Sequence, residues 1–136
     1  MNSKQLGVLG EKIALKCLKN KGYQILDKNY SPKFISGPQK GEIDIVAQRG
    51  DIISFIEVKT LISKMTKNSR SRVFRQNSFL PEDKVDFFKK RKIIKTAEFW
   101  LMERKIPLDS KWQIDVMAIK INSNLKKAKI RYFNNI

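Results

Sequence analysis

Two apolar runs dominate the pattern of hydrophobic and polar positions. They lie back to back across Arg49-Gly50-Asp51, within Gly41–Thr60, GEIDIVAQRGDIISFIEVKT. Enrichment in Val, Ile and Phe around a glycine-containing turn predicts a β-hairpin. A two-residue loop of Gly50-Asp51 suits a type II′ turn, which takes Gly first. That loop pairs Arg49 with Ile52. Counting outward then sets Asp44 opposite Glu57 and Glu42 opposite Lys59. Opposed residues project from one face, roughly 5 Å apart at Cβ. Alternation puts Ile43, Ile45 and Ala47 on one face and Val46, Ile53 and Phe55 on the other, among the charges. Strands apolar on both faces are usually covered on both faces.

The remaining pattern predicts the covering elements. Leu6, Leu9, Ile13, Cys17 and Leu18 recur at helical spacing from Ser3 to about Lys21, with Gly22 as the stop. Gly7, Gly10 and Ala14 leave one side of this helix small enough for close approach. Tyr23–Asn29 reads as a short strand, and Ser31–Lys40 as a loop marked by Pro32, Gly37 and Pro38. An irregular basic stretch follows from about Leu61 to Pro81. A long helix is expected from Glu82 to about Arg104, burying Ile93, Ile94, Ala97, Trp100 and Leu101. Its start carries Pro and acids, as the helix dipole prefers, and Ile106-Pro107 ends it. Trp112–Asn122 and Ala128–Phe133 read as a second strand pair. The expectation is one α/β domain over residues 1–136, with a mixed central sheet and both helices packed against it.

Charge sharpens this picture. The 136 residues carry 29 Lys and Arg against 13 Asp and Glu, a formal net charge of +16. Such an excess points to a polyanion partner. An anionic membrane surface would match the charge too, but no basic amphipathic helix offers a large apolar face to anchor there. No apolar run approaches the ~20 residues of a membrane span. Lys4, Glu11 and Lys12 interrupt any signal-peptide core. The chain has no histidine, which excludes His-ligated zinc, a Ser-His-Asp triad and a histidine general base. Its one cysteine, Cys17, fits a reducing cytoplasm and reads as a small buried residue of the first helix.

The hairpin carboxylates need a reason, because like charges directly opposed destabilise a sheet. Close, partly buried carboxylates share a proton or hold a cation. A hard ion such as Mg²⁺ takes oxygen ligands, often one or two carboxylates plus water and substrate phosphate. The plainer alternative is a Glu42–Lys59 salt bridge with Asp44 and Glu57 solvated. Glu11 falls at the border of the first helix's apolar stripe, either as a surface residue or as a neighbour of the site. Lys64, Lys67, Arg70, Arg72 and Arg75 make the long loop a candidate phosphate-contacting flap or a solvated segment. Lys89, Lys90, Arg91 and Lys92, with Lys95, crowd the second long helix, as candidate phosphate contacts or as a solvated face. Asp115 stands inside a strand, as a structural acceptor or as a neighbour of the site.

The pattern Asp44…Glu57-Val58-Lys59 resembles the PD-(D/E)XK nuclease superfamily, whose members share a restriction-endonuclease-like α/β core. More narrowly, the chain is similar to the YraN family of small bacterial proteins, whose fold resembles Holliday-junction resolvases. The resemblance rests on Gly10-Glu11 with Ala14, Gly22-Tyr23 with Ile25-Leu26, Asn29-Tyr30, Gly41-Glu42-Ile43-Asp44, Phe55–Thr60, Lys89 and Asp115-Val116. It departs at Ser31 and Leu61, where the family usually has Arg, and in lacking a Phe-Gly pair before the second helix. The resemblance implies a metal-dependent endonuclease hydrolysing DNA phosphodiester bonds, with branched or damaged DNA as the expected substrate. Asp44 and Glu57 would bind Mg²⁺ or Mn²⁺, with the Val58 carbonyl and Glu11 as further ligands. Lys59 would orient the attacking water, and Glu42 would position Lys59 or assist the metal. Resolvase-like relatives often dimerise, so a homodimer is compatible with it. The alternative is a non-catalytic nucleic-acid-binding module with an accessory role in DNA processing or uptake. Nothing in the residues separates DNA from RNA as partner.

Overall fold

The computed structural model describes residues 2–37, 40–63, 87–122, 124 and 126–136. These form α1 (Ser3–Asn20), β1 (Gln24–Tyr30), β2 (Ile43–Arg49), β3 (Ile52–Ser63), α2 (Phe87–Glu103), β4 (Trp112–Asn122) and β5 (Lys127–Phe133). Helix α1 opens with a capping box. Asn2 Oδ1 accepts the Gln5 N–H at 2.8 Å, and Gln5 Oε1 accepts the Asn2 N–H at 3.0 Å. It closes as the glycine stop requires. Gly22 has φ of 89°, its N–H donates to Lys19 O, and Tyr23 N–H donates to Leu18 O. That is the Schellman arrangement, and it turns the chain directly into β1.

The five strands form one sheet in the order β1-β2-β3-β4-β5. All neighbours are antiparallel except β3 and β4, which are parallel. The hairpin has the register expected from its turn. Arg49 faces Ile52, and the ladder continues to Ile45 opposite Ile56. Gly50 has φ of 64°, as the first position of a type II′ turn demands.

Each sheet face is covered by a helix. Ala14 and Leu18 of α1 pack with Ile45, Ala47, Ile56, Met117 and Ile119. On the other face Ile93, Ala97, Trp100 and Leu101 of α2 pack with Val46, Ile53, Phe55 and Ile114. The Trp100 ring meets Phe55 edge-on, with centroids 5.6 Å apart. The C-terminal end of α2 is tied to β1. Trp100 Nε1 and an Arg104 guanidinium nitrogen donate to Asp27 Oδ2 at 3.0 and 3.1 Å, and Tyr30 OH donates to Glu103 at 2.8 Å. This mixed α/β architecture is consistent with a restriction-endonuclease-like fold. Among the described residues no helix is long and apolar enough to cross a membrane.

Four expectations change. Leu61–Ser63 belong to β3, not to a loop, because they pair with Lys120–Asn122 of β4. Ile43 leaves the face of Ile45 and Ala47 and packs under α2 with Val46. The β2–β3 ladder stops after Ile45, so alternation no longer governs the start of β2. Thr96 joins the buried face of α2, its Oγ1 donating to Lys92 O at 2.8 Å. Cys17 is half-buried at the edge of the α1 core, not fully enclosed. The expected helix start at Pro81-Glu82-Asp83 lies outside the described residues, as does most of the basic stretch from Leu61 to Pro81.

Candidate metal and nucleic-acid site

The site forms where the β2–β3 ladder opens. Just beyond the last pair, Ile45 with Ile56, the Val58 N–H donates to Asp44 Oδ2 at 2.7 Å. A side-chain carboxylate thus stands in for a strand carbonyl, and Asp44 is held between the strands. Asp44 also hydrogen-bonds the Glu57 carboxyl. The two acids expected to meet across the hairpin do meet, as side chains just past the end of the ladder. The N–H and C=O of one strand residue face the same neighbouring strand. The Val58 carbonyl therefore faces the side on which Asp44 lies.

Burial raises the Asp44 pKa to about 8, and the Glu57 carboxyl pushes the same way. The Val58 N–H opposes this, and Glu11 adds a further push upward. Glu11 itself is raised by burial, lowered by its hydrogen bond with Asn29 and raised again by Glu42. Asn29 holds a left-handed φ of 51° within β1, a conformation that asparagine tolerates better than most residues. Sequence pattern recorded Asn29 only as part of a motif. Its positive φ and its bond to Glu11 make it a member of the site's surroundings.

Helix α1 reaches this end of the sheet because Gly10 has no side chain. A β-carbon there would overlap Thr60 Oγ1 on β3. Glycine at this point lets the helix backbone sit against the strand that carries Glu57, and Glu11 follows one residue on.

A pocket of about 230 Å³ opens over the acid pair, lined by Lys40, Gly41, Glu42, Asp44, Glu57, Lys89, Lys92 and Ile93. Lys89 Nζ lies 2.9 Å from Glu57 Oε2, with the Glu57 side chain 11 % exposed and that of Lys89 51 % exposed. Helix α2 therefore delivers a cation onto one of the two acids, a pairing that no local spacing announces. Glu42 is exposed at the pocket rim. Lys59 is half-buried, two residues beyond Glu57 on the same strand. The expected Glu42–Lys59 opposition lies past the end of the ladder.

The basic residues divide. Lys92 lines both the acid pocket and a larger cavity of about 660 Å³, whose wall includes Arg91 and Lys95. Lys90 is half-buried and lines neither cavity. Lys64, Lys67, Arg70, Arg72 and Arg75 lie outside the described residues. Asp115 is resolved as a structural acceptor. It is 0 % exposed, and it accepts from Gln113 Nε2, the Tyr132 hydroxyl and the Asn135 N–H. Burial and that carboxylate together push the Tyr132 phenol well above its ordinary range. Strand parity points Asp115 away from the acid pair, toward the α1 side.

The metal fit follows from this geometry. Among the described residues no group of three or more acidic, cysteine or histidine side chains is gathered closely enough to hold an ion. Two carboxyls do converge, partly buried and hydrogen-bonded to each other. That number matches Mg²⁺ or Mn²⁺, which keep several waters and take further oxygens from substrate phosphate.

Comparison with known proteins places the chain in a family. A family model described as "Uncharacterised protein family UPF0102" matches residues 10–119. The chain belongs to the UPF0102 family. It is 39 % identical over 114 residues to a UPF0102 protein of Campylobacter jejuni subsp. jejuni strain 81-176, covering 84 % of this chain and 82 % of that one. It is 34 % identical over 135 residues to a UPF0102 protein of Dictyoglomus thermophilum, covering 99 % and 98 %. A UPF0102 protein of Alkaliphilus oremlandii is 33 % identical over 133 residues, covering 98 % and 97 %. The matched family segment contains every pocket residue, Gly10 and Glu11 of α1, and Asp115.

Proposed function

We propose that this UPF0102 protein is a metal-dependent endonuclease that hydrolyses DNA phosphodiester bonds. One observation carries the reading. Two juxtaposed, partly buried carboxylates, Asp44 and Glu57, face a pocket whose other charged walls include Lys40, Lys89 and Lys92. Acids alone would repel a phosphodiester, and lysines alone would bind it without chemistry. Together they describe a place where a cation and a phosphate meet.

Asp44 and Glu57 would hold Mg²⁺ or Mn²⁺, with the Val58 carbonyl on the same edge and Glu11 nearby. The ion, when bound, supplies a bound water of lowered pKa and neutralises charge on the scissile phosphate. The protein's own part is positioning. The Val58 N–H fixes the Asp44 carboxylate, and the sheet fixes Glu57. Lys40 and Lys92 attract and orient the phosphate at the pocket wall. Lys59 follows Glu57 on the same face and would steady the attacking oxygen. Lys89 pairs with Glu57 in the metal-free protein and would contact phosphate when Glu57 holds the ion.

A second reading has its own support. The 2.9 Å Lys89–Glu57 pair already neutralises one acid, which a non-catalytic nucleic-acid-binding module would need. The deciding experiment is cleavage of end-labelled four-way junction, tailed and duplex DNA with Mn²⁺ or EDTA, using wild type and Glu57→Gln. Metal-dependent cutting that disappears in the variant supports the nuclease. Binding that ignores chelator and variant alike, with no cutting, supports the module.

A further inference from the structure

Beside the acid pocket lies the larger cavity of about 660 Å³, lined by Ile35, Phe88, Arg91, Lys95 and Phe99 and sharing Gly41 and Lys92 with the smaller one. Its volume falls within the range of sites that enclose a small organic group. Glycine at the shared wall is required by packing. A β-carbon on Gly41 would overlap Thr96 Oγ1 and approach Lys92 O to 3.2 Å. The chain leading into β2 is therefore pressed onto α2 where the two cavities join.

The chemistry of this groove is unlike that of the acid pocket. Phe88 is 79 % exposed and Phe34 is 66 % exposed, although each is a large apolar ring. Phe34 stands edge-on to Phe99, with centroids 5.0 Å apart. Phe87 meets Phe88 at 5.7 Å, and the Arg91 guanidinium lies 5.6 Å from the Phe87 centroid. Aromatic rings held in water beside Arg and Lys are the combination that binds single-stranded nucleic acid. Bases stack on the rings while the cations track the backbone. A continuous duplex cannot use such rings, since its bases are already stacked on one another.

We infer that this aromatic and basic groove seats an unpaired nucleotide of single-stranded DNA, with the adjoining phosphate directed to the acid pair. The inference rests on the nuclease reading for its second half and names its substrate class: DNA with a single-stranded stretch. Phe88 and Phe34 supply stacking faces. Arg91, Lys92 and Lys95 hold phosphates.

Fluorescence anisotropy in EDTA separates binding from chemistry. The probes are a labelled oligothymidylate, a blunt duplex, and that duplex carrying a single-stranded tail. Wild type should bind the first and third more tightly than the second. Phe88→Ala should lose about tenfold or more of that preference, as expected for one lost stacking contact. Phe88→Trp, which keeps a stacking face, should retain it. Circular dichroism checks that both variants fold, and Phe34→Ala, which removes the exposed ring packed edge-on against the lining residue Phe99, gives an independent variant at the groove's edge. Equal wild-type affinity for all three probes overturns the inference. So does an unchanged preference in both alanine variants. Tighter binding by Phe88→Ala overturns it as well, because the ring would then be covering a surface for another part of the chain. A wild-type dimer that Phe88→Ala abolishes with unchanged DNA binding overturns it in favour of a second copy of the chain. The two readings fail separately. A Phe88-dependent preference without cutting in Mn²⁺ keeps the groove and sinks the nuclease, whereas Glu57-dependent cutting of blunt duplex with no role for Phe88 does the reverse.

Discussion

Asp115 and Asp44 are both enclosed aspartates of one sheet, and their surroundings differ completely. Asp115 is fully buried, with an amide side chain, a phenol and a backbone N–H donating to it. A buried carboxylate with donors on both oxygens is part of the packing, and it anchors the C-terminal residues to β4. Asp44 has one backbone donor and, on its other side, a second carboxylate. Burial without enough donors leaves a group whose charge has to be met from outside, by a proton or a cation. The contrast separates an acid the fold uses from an acid the fold withholds.

The largest expected effect falls on the satisfied aspartate. Asp115→Ala empties a fully buried position and removes the acceptor of the Gln113 amide, the half-buried Tyr132 hydroxyl and the Asn135 N–H. It should cost about 3 kcal/mol or more of stability, lowering the melting temperature by roughly 10 °C. Urea denaturation checks this, and a loss below about 1 kcal/mol would end the contrast. Next comes the withheld pair. Glu57→Gln should reduce metal-dependent cleavage by at least about 100-fold while leaving the urea midpoint nearly unchanged. A variant that cuts normally would remove Glu57 from the site.

Stability should also follow pH through Asp44. The Asp44 pKa is raised on folding, so the folded chain keeps a proton that the unfolded chain has released. The associated stability is fully present below the unfolded value of about 4 and is lost as pH rises through about 8. The metal-free protein should therefore weaken between those limits. Asp44→Asn, which cannot ionise, should flatten that slope and stabilise the metal-free protein at pH 8 by about 1 kcal/mol or more. Melting curves at successive pH values in EDTA measure this. Millimolar Mn²⁺ should raise the wild-type curve at pH 8 and leave the variant's in place. The smallest effect is expected at Lys89, whose pair with Glu57 is half open to solvent. Lys89→Ala should change stability by less than about 1 kcal/mol, yet tighten Mn²⁺ binding measured by calorimetry, because a competing cation is gone.

Much of this molecule is legible in its residue order. The hairpin register follows from Gly50-Asp51, and β4 runs from Trp112 to Asn122 as its β-branched run predicts. Local rules suffice there, because turn chemistry and side-chain alternation act between near neighbours. The meeting of Asp44 and Glu57 is a consequence of that same register. The end of the ladder beside them was not legible. The Val58–Asp44 bond that replaces it, and the passage of Ile43 to the α2 side, depend on what covers each sheet face. The three extra residues of β3 likewise needed their partners Lys120–Asn122 on β4, far along the chain.

Residue order alone sets which carboxylates lie on one hairpin face and that a strongly basic chain surrounds them, since both are matters of order and count. What each acid faces depends on packing between elements. Long-range packing of α1 through Gly10 brought Glu11 toward the pair. Packing of α2 set Lys89 on Glu57 and opened an aromatic groove next to it. Asp115, identical in residue type to Asp44, was turned to the opposite face and satisfied. Contacts between elements distant in sequence carry no periodicity, so their chemistry is settled when the helices close on the sheet.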